Sequence, residues 1–200
     1  LIKKVLSGDE IKQILYSVIE YEIGREKIQT DITSDIELSR KYIELIMSKC
    51  IAELDFESND DDNDDHFYAT IVTTLSEALL HFMLTICTLP SERKIAIKND
   101  LSLDVIIPSL QSLKIKPEKS IIVQFIKEKM DLNKVLQLES LQPHHKNVWL
   151  VSGKPLPLTT KYTKYYILPN ANLHNKYSNI IIDIDNFLRE TGDKSFRLVH

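Results

Sequence analysis

The sequence predicts a mostly α-helical fold: a multi-helix bundle around a central buried helix, followed by a small C-terminal α/β segment of hairpin plus helix. Three observations carry that expectation. From Phe67 to Leu89 the chain holds no lysine, arginine, glycine or proline, and Thr70, Thr74, Glu77, His81, Thr85 and Thr88 recur at helical spacing as one polar stripe on an apolar cylinder. Most of the chain before residue 142 places its apolar residues at helical spacing. Only four glycines occur in 200 residues, where ordinary usage gives about fourteen, which disfavours tight turns and glycine-rich phosphate loops.

Taken in order, Ser7 to Asp9 offer capping oxygens, and Ile11, Ile14, Leu15, Val18, Ile19 and Ile23 form one helical face that Gly24 ends. After a short polar linker, Ser34 and Glu37 stand at capping-box spacing ahead of a stripe running from Ile36 through Ile43, Met47 and Cys50 to Leu54. The acidic run across 55–65 is expected to be a solvated, disordered loop. A calcium loop starting at Asp60 would need glycine and glutamate where Asp65 and Ile71 stand. Ile95 to Ile107 suggests a helix broken before Pro108, Pro117 opens a helix carrying Ile121, Ile122, Phe125, Ile126 and Met130, and Asn133 to Leu141 forms a further short helix.

Beyond Gln142 the texture changes, and the domain reading is accordingly 1–142 helical, 143–200 basic and aromatic. Val148 to Val151 and Tyr162 to Leu168 read as the two strands of a hairpin with a long loop. Tyr177 to Leu188 keeps a helical stripe closed by Gly192, and Phe196 to Val199 suggests an edge strand.

Charge separates along the chain. Between Ser140 and Ile182 there are five lysines, three histidines and no acid, in a protein whose overall net charge is −4. Lys146, Trp149, Lys154, Lys161, Tyr162, Lys164, Tyr166 and Lys176 are therefore the candidate residues for contacting a partner or nucleic acid. On a strand, Tyr162, Lys164 and Tyr166 share one face and Lys161, Tyr165 and Ile167 the other. The segment contains no arginine, which weighs against bidentate phosphate or base recognition. A winged-helix arrangement, with Asn133 to Leu141 as the reading helix, is weakened by Glu139.

Catalytic motifs are scarce. No Walker A loop, GxGxxG, HExxH or GxSxG occurs. Asp183 and Asp185 belong to a helical pattern in which i and i+2 do not face each other, adjacent His144 and His145 suit no metal site, and Glu77 and His81 read as an ordinary i, i+4 pair. Cys50 and Cys87 occupy apolar helical positions and read as buried reduced thiols. The resulting expectation is a non-catalytic scaffold subunit of an intracellular, nuclear or cytoplasmic, eukaryotic complex. It binds a protein partner, has no cofactor or metal, and does not insert in a membrane because Glu77 interrupts its long apolar stretch. The alternative is a nucleic-acid-binding module using the basic, aromatic C-terminal segment.

Overall fold

Ser7 caps the first helix as its sequence foretells. Its hydroxyl accepts the Glu10 N–H at 3.2 Å while its own N–H donates to the Glu10 carboxylate at 2.8 Å. In this computed structural model, residues 7–54, 62–97, 101–127, 131–156, 161–167 and 175–192 are described. Helix α1 (Gly8–Ser17) continues as a π turn to Ile23 and ends at Gly24, whose φ of 92° suits a residue without a Cβ. The segment expected to be a polar linker is instead helix α2 (Arg25–Ser34). The expected capping box fails for the same reason: Ser34 is the last residue of α2, and Asp35 accepts the Glu37 N–H ahead of α3 (Leu38–Glu53).

Helix α4 (Asp62–Ile86) is the expected central rod, and it begins within the acidic run, of which residues 55–61 lie outside the described set. Over Phe67–Ile86 it is long and apolar enough to cross a membrane, yet 72% of that stretch is buried inside the protein. Its neighbours are α1, α3 and α7 (Ile180–Glu190) on one side and a β-sheet on the other.

That sheet corrects the predicted fold class. The protein is an α/β fold built on a five-stranded mixed sheet, not a helical bundle with a small α/β segment. Strands β1 (Glu92–Ala96), β2 (Ser102–Ile107), β3 (Ile121–Phe125), β4 (Val148–Ser152) and β5 (Thr163–Tyr166) lie side by side in chain order. The first three are antiparallel neighbours, while β3, β4 and β5 run parallel. The expected hairpin is therefore a parallel pair, and the winged-helix analogy lapses with it. The helix expected over 117–130 is largely β3, and the broken helix over 95–107 is the β1–β2 hairpin.

Burial on both faces explains the misreading. Val105, Ile107, Ile121, Val123, Phe125, Trp149, Val151 and Tyr165 pack against the α4 layer, whereas Ile106, Ile122, Val148, Leu150 and Tyr162 pack against α5 (Leu110–Ile115) and α6 (Asp131–Leu138). Strands covered on both sides read as unbroken apolar runs, and a short run cannot be told from a buried helix by periodicity. Cys50 and Cys87 are buried and unbridged, as expected. The proposed strand at Phe196 to Val199 lies outside the described residues.

Helix α4 comes close to the chain at Gly153, just past β4. A Cβ there would sit 2.9 Å from the Ala69 carbonyl oxygen, and the Gly153 N–H donates to Thr73 Oγ1 at 3.1 Å. That contact sets the height of the polar stripe of α4 above the ends of the parallel strands.

Candidate functional site

Strands β2 and β3 separate partway along their length. Their ladder runs from Ile107↔Ile121 to Val105↔Val123 and stops. Beyond it, Asp104 and Gln124 replace the backbone pairing: the Phe125 N–H donates to Asp104 Oδ2 at 2.9 Å, and the Asp104 N–H donates to Gln124 Oε1 at 3.4 Å. Strand β3 meanwhile continues beside β4, pairing Phe125 with Val151. In open α/β sheets, ligands settle in the crevice outside the carboxyl ends of the strands. The opening between β2 and β3 lies at the carboxyl end of β3 and the amino end of β2.

Three more elements fill it with charge. Glu77 descends from α4, Lys94 crosses from β1, and Lys127 follows β3. The Lys127 ammonium donates to Glu77 Oε2 at 2.6 Å, and Lys94 pairs with Glu77 Oε1 while lying 3.5 Å from Asp104 Oδ1. The register that pairs Arg93 with Val105 and Ile95 with Leu103 sets Lys94 opposite Asp104. Lys127 is pinned at its backbone, where its N–H donates to Asp131 Oδ2 at 3.0 Å and its carbonyl accepts the Thr70 hydroxyl.

Burial distinguishes this cluster from a surface ion pair. Glu77 is 6% exposed, Asp104 8% and Gln124 4%, and charges so enclosed persist only when paired and hydrogen-bonded. Burial by itself raises the Glu77 carboxyl, but the ammonium groups of Lys127 and Lys94 outweigh it and hold the group below its ordinary value. Asp104 goes the other way. Burial raises it, the Phe125 N–H pulls it back, and the Glu77 charge pushes it further up. Two carboxylates whose environments drive them apart are a mark of functional sites. Lys94, exposed along much of its side chain, is raised because Glu77 and Asp104 favour the charged ammonium by more than partial desolvation lowers it.

One turn along α4 from Glu77, the His81 imidazole is neutral in the fold, lowered from 6.5 to about 4 by burial first and then by Arg93. It is not hydrogen-bonded to Glu77, whose partners are the two lysines, so the expected i, i+4 pair does not form. Thr70 and Glu77 of the polar stripe reach this opening, through Lys127 and the two lysines respectively. Spacing revealed the stripe; Asp104 and Gln124 gave no signal, because each interrupts an apolar strand read as helix.

The predicted basic and aromatic residues divide between the two ends of the parallel strands. Lys154 follows β4, Tyr166 ends β5, and Lys176 bridges to Tyr166, all at the carboxyl end where the crevice opens. Lys146, Lys161 and Tyr162 lie at the amino end, and Lys164 sits within β5. There Lys161 pairs with Glu139 at 2.7 Å, and the Tyr162 hydroxyl donates to the same carboxylate. Trp149 is 6% exposed and packs on Tyr165 at 5.3 Å, and Tyr162 is 5% exposed, so both rings are core residues. Asp183 accepts from the Tyr165 hydroxyl at 2.7 Å and Asp185 pairs with Arg189 at 2.7 Å, so these two acids do not converge.

Neither a family model nor a curated protein matches the sequence. Among solved structures, the chain is similar to the restriction endonuclease PspGI in complex with its substrate DNA, with a TM-score of 0.52, 12% identity, and coverage of 95% of this chain and 98% of that one. It also aligns with metal-depleted Ecl18kI in complex with uncleaved DNA, at a TM-score of 0.43, 11% identity, and coverage of 96% of this chain and 89% of that one. The first likeness gives the fold: a restriction-endonuclease-like α/β architecture. This corrects the expectation of a non-catalytic scaffold subunit, which rested on helices wrapped around a rod.

Proposed function

We propose that this chain is a nuclease domain that hydrolyses phosphodiester bonds in DNA at the Glu77–Asp104 site. One observation carries the reading: the carboxylates of two buried residues, Glu77 and Asp104, meet two lysines in the opening where β2 leaves β3. The fold around them is the one seen in an endonuclease bound to substrate DNA.

Hydrolysis adds water across a P–O ester bond. The water oxygen bonds to phosphorus, the ester bond breaks, the leaving alkoxide takes up a proton, and a phosphomonoester and an alcohol remain. Charge on the phosphoryl oxygens must meet positive groups already in place. Lys127 supplies one, held by Glu77 through its side chain and by Asp131 through its backbone.

The donor set also fits a divalent cation. Mg²⁺ is held through one or two carboxylates, with water and substrate phosphate completing its shell, and the Lys94 ammonium already takes a cation's place beside both acids. Glu77 and Asp104 would hold the ion, which supplies Lewis-acid polarisation of the phosphoryl group and a hydroxide at neutral pH. Gln124 keeps Asp104 in position through the Asp104 N–H. Lys154 and Lys176, at the same end of the sheet, form the rim against which the DNA backbone lies.

Incubating the purified chain with supercoiled plasmid and Mg²⁺ or Mn²⁺ tests the proposal. Nicking or linearisation is expected, and Asp104→Asn should abolish it while the variant unfolds at a similar temperature. Failure of the wild-type chain to cut plasmid with either metal overturns the reading.

A further inference from the structure

Lys94 has a backbone that few lysines adopt. Its φ is 51°, in the left-handed region that is strained for a residue with a Cβ. This conformation lies inside β1, at the position opposite Asp104. The side chain reaches two buried carboxylates, yet it is itself 58% exposed. A strained residue whose charged end bridges the two acids, and whose stem lies open to solvent, is built to stay or to swing away.

We propose that Lys94 is an internal counter-ion that closes the Glu77–Asp104 seat until a DNA phosphate draws its ammonium out, so that DNA and divalent metal load together. This rests on the hydrolytic reading above. The charge balance shows why. Glu77, Asp104, Lys94 and Lys127 sum to zero as they stand. A divalent ion entering with Lys94 in place would set four positive charges against two negative ones. With Lys94 withdrawn, three remain against two, and the ammonium has found a phosphate instead of losing its partner.

Lys127 cannot play this part. It is 29% exposed on its side chain, is held at its backbone by Asp131, and contacts Glu77 alone of the two acids. Lys94 is thus the mobile cation of the pair and Lys127 the fixed one. Coupling of this kind is reciprocal: whatever factor DNA adds to metal affinity, metal adds to DNA affinity.

Calorimetric titration of Ca²⁺ into the full chain, with and without a short DNA duplex, reads the coupling without requiring turnover. For the wild type, DNA should tighten Ca²⁺ binding about tenfold. Lys94→Met should bind Ca²⁺ about tenfold more tightly than the wild type in the absence of DNA, and gain little when DNA is added. Lys94→Gly, which suits the left-handed backbone, repeats the measurement in a variant whose folding is favoured. If both variants match the wild type without DNA, or bind more weakly, the counter-ion proposal is overturned while the hydrolytic reading stands. If no protein binds Ca²⁺ with or without DNA, both fall.

Discussion

The two ends of the parallel strands carry clusters made from the same residue types, and only one of them has the makings of a site. At the amino end, Glu139 meets Lys161, Tyr162 and His145, with its side chain 29% exposed. At the carboxyl end, Glu77 meets Lys94, Lys127 and the second acid Asp104, with its side chain 8% exposed. Lysine is available to both. Burial and a second carboxylate make the difference: water screens the first cluster and leaves it a surface clasp, while in the second each charge depends on its partners. Even the tyrosine is informative. Tyr162 is pushed up to about 12, by burial first and then by Glu139, so it remains a neutral donor that fastens β5 to α6.

The largest expected effect separates the two clusters directly. Glu77→Gln keeps the shape of the side chain and removes its charge, so plasmid cleavage should fall at least about 100-fold, equivalent to about 2.7 kcal/mol of barrier. Glu139→Gln should leave cleavage within about twofold and cost no more than about 1 kcal/mol in denaturant unfolding, as expected of a partly exposed, solvent-screened ion pair. Equal losses of cleavage in the two variants would erase the distinction.

Acid should reveal the burial at the carboxyl end. His81 is lowered from 6.5 to about 4 in the fold. Between those values the unfolded chain takes up a proton that the folded chain refuses. The stability His81 contributes is therefore complete above pH 6.5 and is lost as pH falls toward about 4, at up to about 1.4 kcal/mol per pH unit. Glu77, whose folded value is lowered, adds a loss in the same direction below its ordinary value of 4.5. Asp104, whose folded value is raised, opposes it: its contribution is present below its ordinary value of 3.8 and lost as pH rises through its raised value. Chemical denaturation across this range should show a slope that His81→Phe flattens above pH 4.5, where Glu77 has yet to titrate. An unchanged slope in that variant would mean that the imidazole is hydrated in the fold.

How much of this could be read from the sequence follows from the same physics. The central rod was legible because its apolar surface is continuous and its polar stripe keeps helical spacing, and the stripe turned out to line the site. The terminal helix was legible too, through the isoleucines at 180, 181 and 184. Strands β2 and β3 were not. Buried on both faces, Val105–Ile107 and Ile121–Val123 lose the alternation that marks a strand. The site vanished with them, since Asp104 and Gln124 acquire meaning only once β2 and β3 are known to lie side by side and to part beyond the Val105↔Val123 pair, at Asp104 and Gln124. Glu77 was visible as a lone acid in an apolar helix, but its partners stand 17, 27 and 50 residues further along the chain, where no local pattern reaches.

The smallest expected effect concerns the rim, where the sequence marked the right residue type without telling the two ends apart. Lys154 and Lys176 stand at the carboxyl end beside the crevice, whereas Lys146 precedes β4 at the amino end. Each lysine that neutralises a DNA phosphate releases counter-ions, so its loss should lower the slope of log affinity against log salt by about 0.9. Lys154→Ala and Lys176→Ala should each do so, and should weaken duplex binding several-fold at low salt. Lys146→Ala should change neither. Because these substitutions leave Glu77 and Asp104 untouched, cleavage at saturating DNA should persist, with the loss confined to the DNA concentration required. Were Lys146→Ala to lower the slope and Lys154→Ala to leave it unchanged, the DNA would lie across the Glu139 end, and the crevice between β2 and β3 would be out of its reach.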